Sequence, residues 1–320
     1  MGRDSEPPIL AIVVPCYNEQ EVLPLTISHF LDLLSSLTSA AKVSTKSFLC
    51  FVDDGSTDLT WAILCAARLE DDAVRALKLS RNFGHQNALL AGLMQVRDSC
   101  DVSISIDADL QQDSGAISDF LDQYQEGAEI VFGVRRGRGT DSRFKRLSAT
   151  LFYQVMTRMG TSVIPNHADY RLLSKKAMAA LSAYGEPDVF LRAICNQLGY
   201  QSAIVEFDVS VRAAGVSKYP LTKMLKLAIN GITSFSVVPL RIITLVGLLV
   251  FGVTLCMSAY VLIVTLFFDH VVPGWASTTL PIYFLGGVQI LCVAVIGEYV
   301  AQILTGVKNR PRYIIDEEIQ

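Results

Sequence analysis

Asp107 and Asp109 stand two apart at the end of a run that reads Val-Ser-Ile-Ser-Ile. On extended chain, residues two apart point to the same side, so the two carboxylates crowd one space unless a cation lies between them. With neither His nor Cys nearby, an all-oxygen donor set suits Mg2+ or Mn2+. Gln111, two residues further on, offers a neutral oxygen to the same site. A lone D-x-D equally describes a solvated acidic loop. The weight comes from the strand before it and from a second acidic pair, Asp53-Asp54, at an equivalent strand end. A third apolar run ends in Pro15-Cys16-Tyr17-Asn18-Glu19. His85 and His167 are isolated, and neither is assigned chemistry.

These residues need a scaffold that brings strand ends together. Short apolar runs predict strands at Leu10–Val14, Phe48–Val52, Ala76–Leu79, Val102–Ile106 and Ile130–Gly133. Periodic segments between them predict helices over Glu21–Leu37, Leu59–Glu70, Gln86–Arg97 and Ala116–Glu126. This β-α alternation argues for an α/β fold with a mostly parallel sheet and helices on both faces. Such sheets bind ligands outside the carboxyl ends of their strands, where the acidic pairs lie. The chain has no G-x-G-x-x-G after the first strand and no Walker A sequence, which weighs against dinucleotide and P-loop chemistry. Two later segments are amphipathic. Over 143–156, Phe144, Leu147, Leu151 and Val155 share a face beside Arg143, Lys145 and Arg146. Over 221–232, Leu221, Met224, Leu225, Ile229 and Ile232 lie opposite Lys223 and Lys226. Such stripes suit a protein core or, with basic flanks near a membrane, its interface; the interface is the preferred reading for 221–232, and 143–156 stays open.

The chain has 320 residues, 51% of them hydrophobic and only 18% charged, and its mean hydropathy is +0.39. That excludes a disordered chain and makes a plain soluble enzyme doubtful. With 27 basic against 31 acidic residues, a nucleic-acid partner gains no support. The seven scattered cysteines form no C-x-x-C pair, so a disulfide framework or zinc site is not expected and a reducing compartment is. A secretory signal is not expected at the N-terminus, because Met1 to Pro8 is polar and the first apolar run is short. The apolar excess lies near the other end, where residues 242–268 carry no charge. At about 1.5 Å per residue this stretch crosses a ~30 Å hydrocarbon core with some tilt. A second uncharged run follows His270, its start spoiled by Pro273 and Gly274. Two transmembrane helices are therefore expected at about 241–268 and 280–304. Buried helices of a large soluble core would also be apolar, but they rarely stay uncharged for this length. The loop between the spans has no Lys or Arg, whereas Lys218, Lys223, Lys226, Arg241, Lys308, Arg310 and Arg312 flank them. The positive-inside rule puts both termini in the cytoplasm, with Trp275 and Tyr283 as candidate interface anchors. The expected organisation is a cytoplasmic domain over 1–215, a juxtamembrane segment over 216–238, a membrane hairpin over 239–304 and a cytoplasmic tail over 305–320.

The set Val13-Val14-Pro15-Cys16-Tyr17-Asn18-Glu19, Val52-Asp53-Asp54-Gly55-Ser56 and Asp107-Ala108-Asp109-Leu110-Gln111 resembles the family-2 inverting glycosyltransferases of the GT-A fold. Further matches at Arg81-Asn82-Phe83-Gly84, Asp169-Tyr170-Arg171-Leu172, Arg212-x-x-Gly215-x-Ser217-Lys218, Gly231 to Ser236 and Lys308-Asn309-Arg310-Pro311 narrow the resemblance to polyprenyl-phosphate glycosyltransferases. Within that group the chain is most similar to the bactoprenol glucosyltransferases of O-antigen modification, and next to dolichyl-phosphate mannose synthases. The match runs through nearly the whole chain; it is specific for the family and less so for the sugar.

The resemblance implies roles. Pro15, Tyr17 and Glu19 match the first nucleotide-contact loop, and Val52 and Asp54 the positions that hold the base. Asp107, Ala108, Asp109 and Gln111 match the diphosphate site, with Asp107, Asp109 and Gln111 on the metal. Arg135 follows the fifth strand, and Arg212 with Lys218 match a flexible basic loop that closes on the donor. Arg143, Lys145, Arg146 and Ser148 are candidates for gripping the lipid phosphate, Arg by bidentate contact; a basic face near anionic headgroups explains them equally well. Asp169 either orients the acceptor or a sugar hydroxyl, or forms a salt bridge to Arg171 or another local cation. The implied donor is a nucleotide sugar, UDP-glucose first, with GDP-mannose, UDP-GlcNAc or an aminoarabinose donor as alternatives. The implied acceptor is undecaprenyl or another polyprenyl phosphate, and the implied location the cytoplasmic face of a bacterial inner membrane. A homo-oligomer is reasonable by the same resemblance. One rival, a processive polysaccharide synthase, lacks support because the chain carries no Q-x-x-R-W. The other, a non-catalytic membrane adaptor, has no need of the carboxylate pair.

Overall fold

A computed structural model describes residues 6–136, 167–185, 191–208, 249, 252, 256, 275–308 and 310–319. The chain divides into two units. One comprises Met1–Thr157, Ser162–Tyr219 and Arg310–Gln320; the other comprises Arg158–Thr161 and Pro220–Asn309. The amphipathic segments 143–156 and 221–232 and almost all of the expected span 241–268 lie outside the described residues.

The first unit is an α/β sandwich whose chain order is β1 (Leu10–Cys16), α1 (Leu23–Ser39), β2 (Phe48–Asp53), α2 (Thr60–Glu70), β3 (Val74–Leu79), α3 (His85–Val96), β4 (Val102–Ser105), α4 (Ala116–Gln125), β5 (Ile130–Arg135), β6 (His167–Ser174), α5 (Lys175–Ser182), α6 (Leu191–Gln197), β7 (Ser202–Phe207) and β8 (Ile315–Ile319). The eight strands form one mixed sheet in the order β7-β5-β6-β4-β1-β2-β3-β8. Strands β4, β1, β2 and β3 run parallel, as do β5 and β7, while β6 and β8 pair antiparallel. Strands β1 and β2 are buried at every position, as expected for a strand covered on both faces. Each fully buried Leu, Ile or Phe in this layer contributes roughly 1.5–3 kcal/mol by leaving water. Helix α3 lies close on the sheet because Gly92 has no side chain: a Cβ there would fall 2.5 Å from Val13 Cγ1 and 2.7 Å from Val52 Cγ2.

The five strands and four helices expected between residues 10 and 133 are present, with ends shifted by one or two residues. What the sequence reading did not reach are β6, β7 and β8. β6 supplies the antiparallel strand that joins β4 to β5. β8 is formed by residues read as a tail. Its sequence, Ile-Asp-Glu-Glu-Ile, is too acidic and short to read as a strand alone, and its partner supplies what it lacks. β8 pairs with β3 from Ala76↔Ile319 to Leu79↔Ile315. Lys78 and Trp61 both bond Glu317, at 3.3 and 3.2 Å.

In the second unit, a 33-residue helix, α7 (Trp275–Val307), runs through the second expected span. It starts immediately after the breakers Pro273 and Gly274 and carries Pro281 inside, so Trp275 to Thr279 are helical rather than loop. Among the described residues, no helix is long and apolar enough to cross a membrane.

Candidate active site

β1 lies between β4 and β2, so the chain turns one way from β1 to β2 and the other way to β4. That switch opens a crevice at the carboxyl ends of the strands. The Tyr17–Gln20 loop after β1 and the Ser56–Thr60 loop after β2 are tied together there. Asn18 N donates to Ser56 Oγ at 2.9 Å, Thr57 N to Asn18 Oδ1 at 2.9 Å and Glu19 N to Thr60 Oγ1 at 3.0 Å. Asn18 takes a left-handed backbone (φ 53°) to make these bonds. Pro15 is buried in β1, whereas the Tyr17 ring is exposed.

Val52 and Asp54, expected at the base, are both buried. Val52 is fully buried between the sheet and α3. Both Asp54 oxygens are taken by the loop before α3, from Phe83 N at 2.7 Å and Gly84 N at 2.9 Å. Burial lifts the Asp54 carboxyl above its ordinary range although those two donors pull it down. Gly55, at φ +66°, lets the loop pass close to Arg81, whose carbonyl carbon would lie 2.4 Å from a Cβ. These contacts make Asp54 a clamp between two loops.

The D-x-D lies just beyond β4. Thr26 Oγ1 of α1 donates to Ala108 O at 2.7 Å and fixes the backbone between the two carboxylates. Gln111 N donates to Asp109 Oδ1 at 3.2 Å, and Leu110 takes a left-handed backbone (φ 54°), a costly conformation for a bulky residue. The antiparallel register Ser105↔Arg171, continued two residues, sets Asp107 opposite Asp169. Ser105 Oγ reinforces it with a 2.7 Å bond to Asp169 O.

Two acidic side chains thus meet, and their surroundings differ. Arg171, itself fully buried, pairs with Asp169 Oδ1. Arg192 of α6 reaches both Asp169 oxygens, Nε to Oδ1 at 3.2 Å and Nη2 to Oδ2 at 2.9 Å. Gln86 Nε2 adds a bond to Oδ2 at 3.0 Å. Burial alone would raise the Asp169 carboxyl, but Arg192 and Arg171 outweigh it and hold the group well below the usual carboxylate range. Asp107 goes the other way. Burial raises its carboxyl, His85 opposes this, and Asp169 and Asp109 add to the rise. Asp107 therefore sits where positive charge is in short supply. His85, assigned no chemistry above, stands between the two acids at the start of α3, with Nε2 3.6 Å from Asp107 Oδ1 and 3.7 Å from Asp169 Oδ2. Arg135 is exposed at the end of β5, and its charge is felt at Asp107.

Asp107, Asp109, Gln111, Asp169 and Arg135 thus fall in one region of the sheet's carboxyl edge. Arg143, Lys145, Arg146, Ser148, Arg212 and Lys218 lie outside the described residues. The donors at the D-x-D fit a hard divalent cation: all are oxygens, and burial and two neighbouring carboxylates raise the Asp107 carboxyl. Among the described residues no three His, Cys, Asp or Glu converge as a ligand set. Sequence reasoning missed His85, Gln86, Arg192 and Gln112: Gln86 and Arg192 meet Asp169 through β6, Gln112 meets Asp107 through the turn after Asp109, and His85 reaches both acids from the start of α3.

A strand-end carboxylate pair on a switched α/β sheet is one signature of sugar-nucleotide enzymes, and the chain's likeness to known proteins gives the class directly. Residues 11–181 match the model of Glycosyl transferase family 2. The chain belongs to this family, is a glycosyltransferase, and has a GT-A-like α/β fold. It is 46% identical over 312 residues to the uncharacterized glycosyltransferase YkoT of Bacillus subtilis (strain 168), covering 98% of this chain and 92% of that protein. It is 37% identical over 310 residues to the SfII prophage-derived bactoprenol glucosyl transferase of Shigella flexneri, covering 96% and 97%. Among solved structures, glucosyl-3-phosphoglycerate synthase from Mycobacterium tuberculosis, in complex with phosphoglyceric acid, matches 71% of this chain and 78% of its own at 20% identity, with a TM-score of 0.48.

Proposed function

We propose that this glycosyltransferase moves one sugar, glucose first among the candidates, from a nucleotide donor to a polyprenyl phosphate at the cytoplasmic face of a membrane. The observation that carries the chemistry is the Asp107–Asp109 pair at the carboxyl end of β4, set against Asp169 by the β4–β6 register. The acceptor reading rests on 37% identity, along nearly the whole length, to a protein named a bactoprenol glucosyl transferase. UDP-glucose is the donor that name favours.

In the reaction an oxygen of the lipid phosphate attacks the anomeric carbon as the bond to the donor diphosphate breaks, and the nucleoside diphosphate departs with that electron pair. The attacking oxygen is already anionic, so no strong protein base is needed. The chain's task is alignment and charge stabilisation. Asp107, Asp109 and Gln111 would hold a Mg2+ or Mn2+ ion, which supplies positive charge to the departing diphosphate. Tyr17 and Glu19 line the donor crevice. Arg135, Arg212 and Lys218 add cations to the developing charge, and Arg143, Lys145, Arg146 and Ser148 grip the acceptor phosphate. Asp169, held ionised by two arginines, positions Arg192 and His85 rather than accepting a proton. The uncharged stretches of the sequence on either side of Asp269 and His270 would anchor the catalytic unit, both termini being cytoplasmic.

The test mixes purified full-length protein, a short-chain polyprenyl phosphate, Mn2+ and a panel of nucleotide sugars, and identifies the lipid by mass spectrometry. A lipid monophosphate heavier by one hexose with UDP-glucose is expected. Product with another donor alone would overturn the sugar assignment, and no lipid product with any donor would overturn the acceptor.

A further inference from the structure

Gln112 follows the D-x-D by three residues and is nearly fully buried, with 5% of its surface exposed. A buried carboxamide needs partners for both its ends, and Gln112 finds both on one residue. Its Nε2 donates to Asp107 Oδ2 at 2.7 Å, and its Oε1 accepts from Asp107 N at 3.3 Å. Only one orientation of the amide satisfies both bonds, because the carboxylate can only accept and the backbone N–H can only donate. The left-handed Leu110 (φ 54°) turns the chain so that residue 112 folds back on residue 107.

The clasp has a consequence for the pair. Asp107 is crowded by the carboxylates of Asp109 and Asp169, and repulsion alone would swing its side chain away from Asp109. Gln112 takes Oδ2 and leaves Oδ1 on the side of His85. We propose that Gln112 is a positioning residue, whose carboxamide fixes the Asp107 rotamer so that one oxygen is presented, preorganised, to the divalent cation. This rests on the metal reading above and adds a residue that does not itself touch the ion. A glutamate could not replace it, since a second carboxylate at 2.7 Å would repel Asp107.

Direct Mn2+ binding, followed by the electron paramagnetic resonance signal of the free ion, tests the role in the full-length protein without substrate. Gln112→Leu and the near-isosteric Gln112→Met should fold with melting temperatures close to wild type and bind Mn2+ about 10-fold more weakly, as loss of a hydrogen-bonded outer partner typically does. Turnover by both variants should climb towards wild type as Mn2+ is raised, placing the defect in the metal requirement rather than in kcat. Unchanged Mn2+ affinity in a folded variant would overturn the proposal, as would loss of the fold in both, which would make Gln112 a core residue only. If the wild type itself binds no Mn2+, the metal reading falls, whereas equal binding by wild type and variants removes the role of Gln112 alone.

Discussion

At the scale of single residues, the two acids that meet across β4 and β6 divide their labour by environment. Asp169 has guanidinium groups on both oxygens and is a weak proton acceptor for that reason. Asp107 has carboxylates for neighbours and attracts a cation for the same reason. Asp169 therefore carries a stability consequence. Its carboxyl is held below its unfolded value, so its contribution is fully present above the unfolded pKa and is lost as pH falls towards the folded one. Asp169→Asn strands the buried Arg171, and breaking a buried pair costs ~3–5 kcal/mol. The gap in stability between wild type and variant should be full at pH 7 and narrow below about pH 4. Chemical denaturation across pH 3 to 7 checks this, and a gap that stays constant would contradict it. The D-x-D could be read in the sequence because period-2 geometry alone puts both carboxylates on one side. The partners of Asp169 could not: Gln86 and Arg192 lie 83 and 23 residues away, and only the register of β6 brings them in.

Elements show the same division between local and distant information. The βα units through β5 are legible because each strand is an apolar run and each helix an amphipathic one. β6, α5, α6 and β7 are not singled out by such a pattern. β8 is legible only in company: its acidic side chains gain sense from Lys78 and Trp61, and Lys78 also lies over the Trp61 ring at 5.6 Å. β8 covers an edge of β3 whose open N–H and C=O groups would otherwise invite pairing with other chains. Deleting residues 314–320 should lower the melting temperature and increase aggregation on size-exclusion chromatography. Glu317→Gln should do far less, since an exposed ion pair is worth about 0–1 kcal/mol. If the deletion leaves stability and solution state unchanged, β8 is dispensable to the sheet.

For the whole molecule, the proposed acceptor is a lipid, and the proposed orientation rests on charge asymmetry: Lys and Arg flank the two uncharged stretches, and none lies between them. A single cysteine placed by Ser277→Cys, in a chain whose native cysteines are replaced, should react with an impermeant maleimide added to intact cells. Reaction only from the cytoplasmic side would reverse the proposed orientation. The central claim, metal-assisted transfer of a sugar to a polyprenyl phosphate, is tested most directly by weighing that lipid product in three parallel reactions: wild type with Mn2+, wild type after exhaustive chelation, and Asp109→Asn with Mn2+. The account predicts a hexosylated lipid phosphate in the first only, with the Asp109→Asn protein as stable as wild type because one of two crowded carboxylates has been neutralised. Undiminished product in the chelated reaction, or from the Asp109→Asn protein, would contradict it.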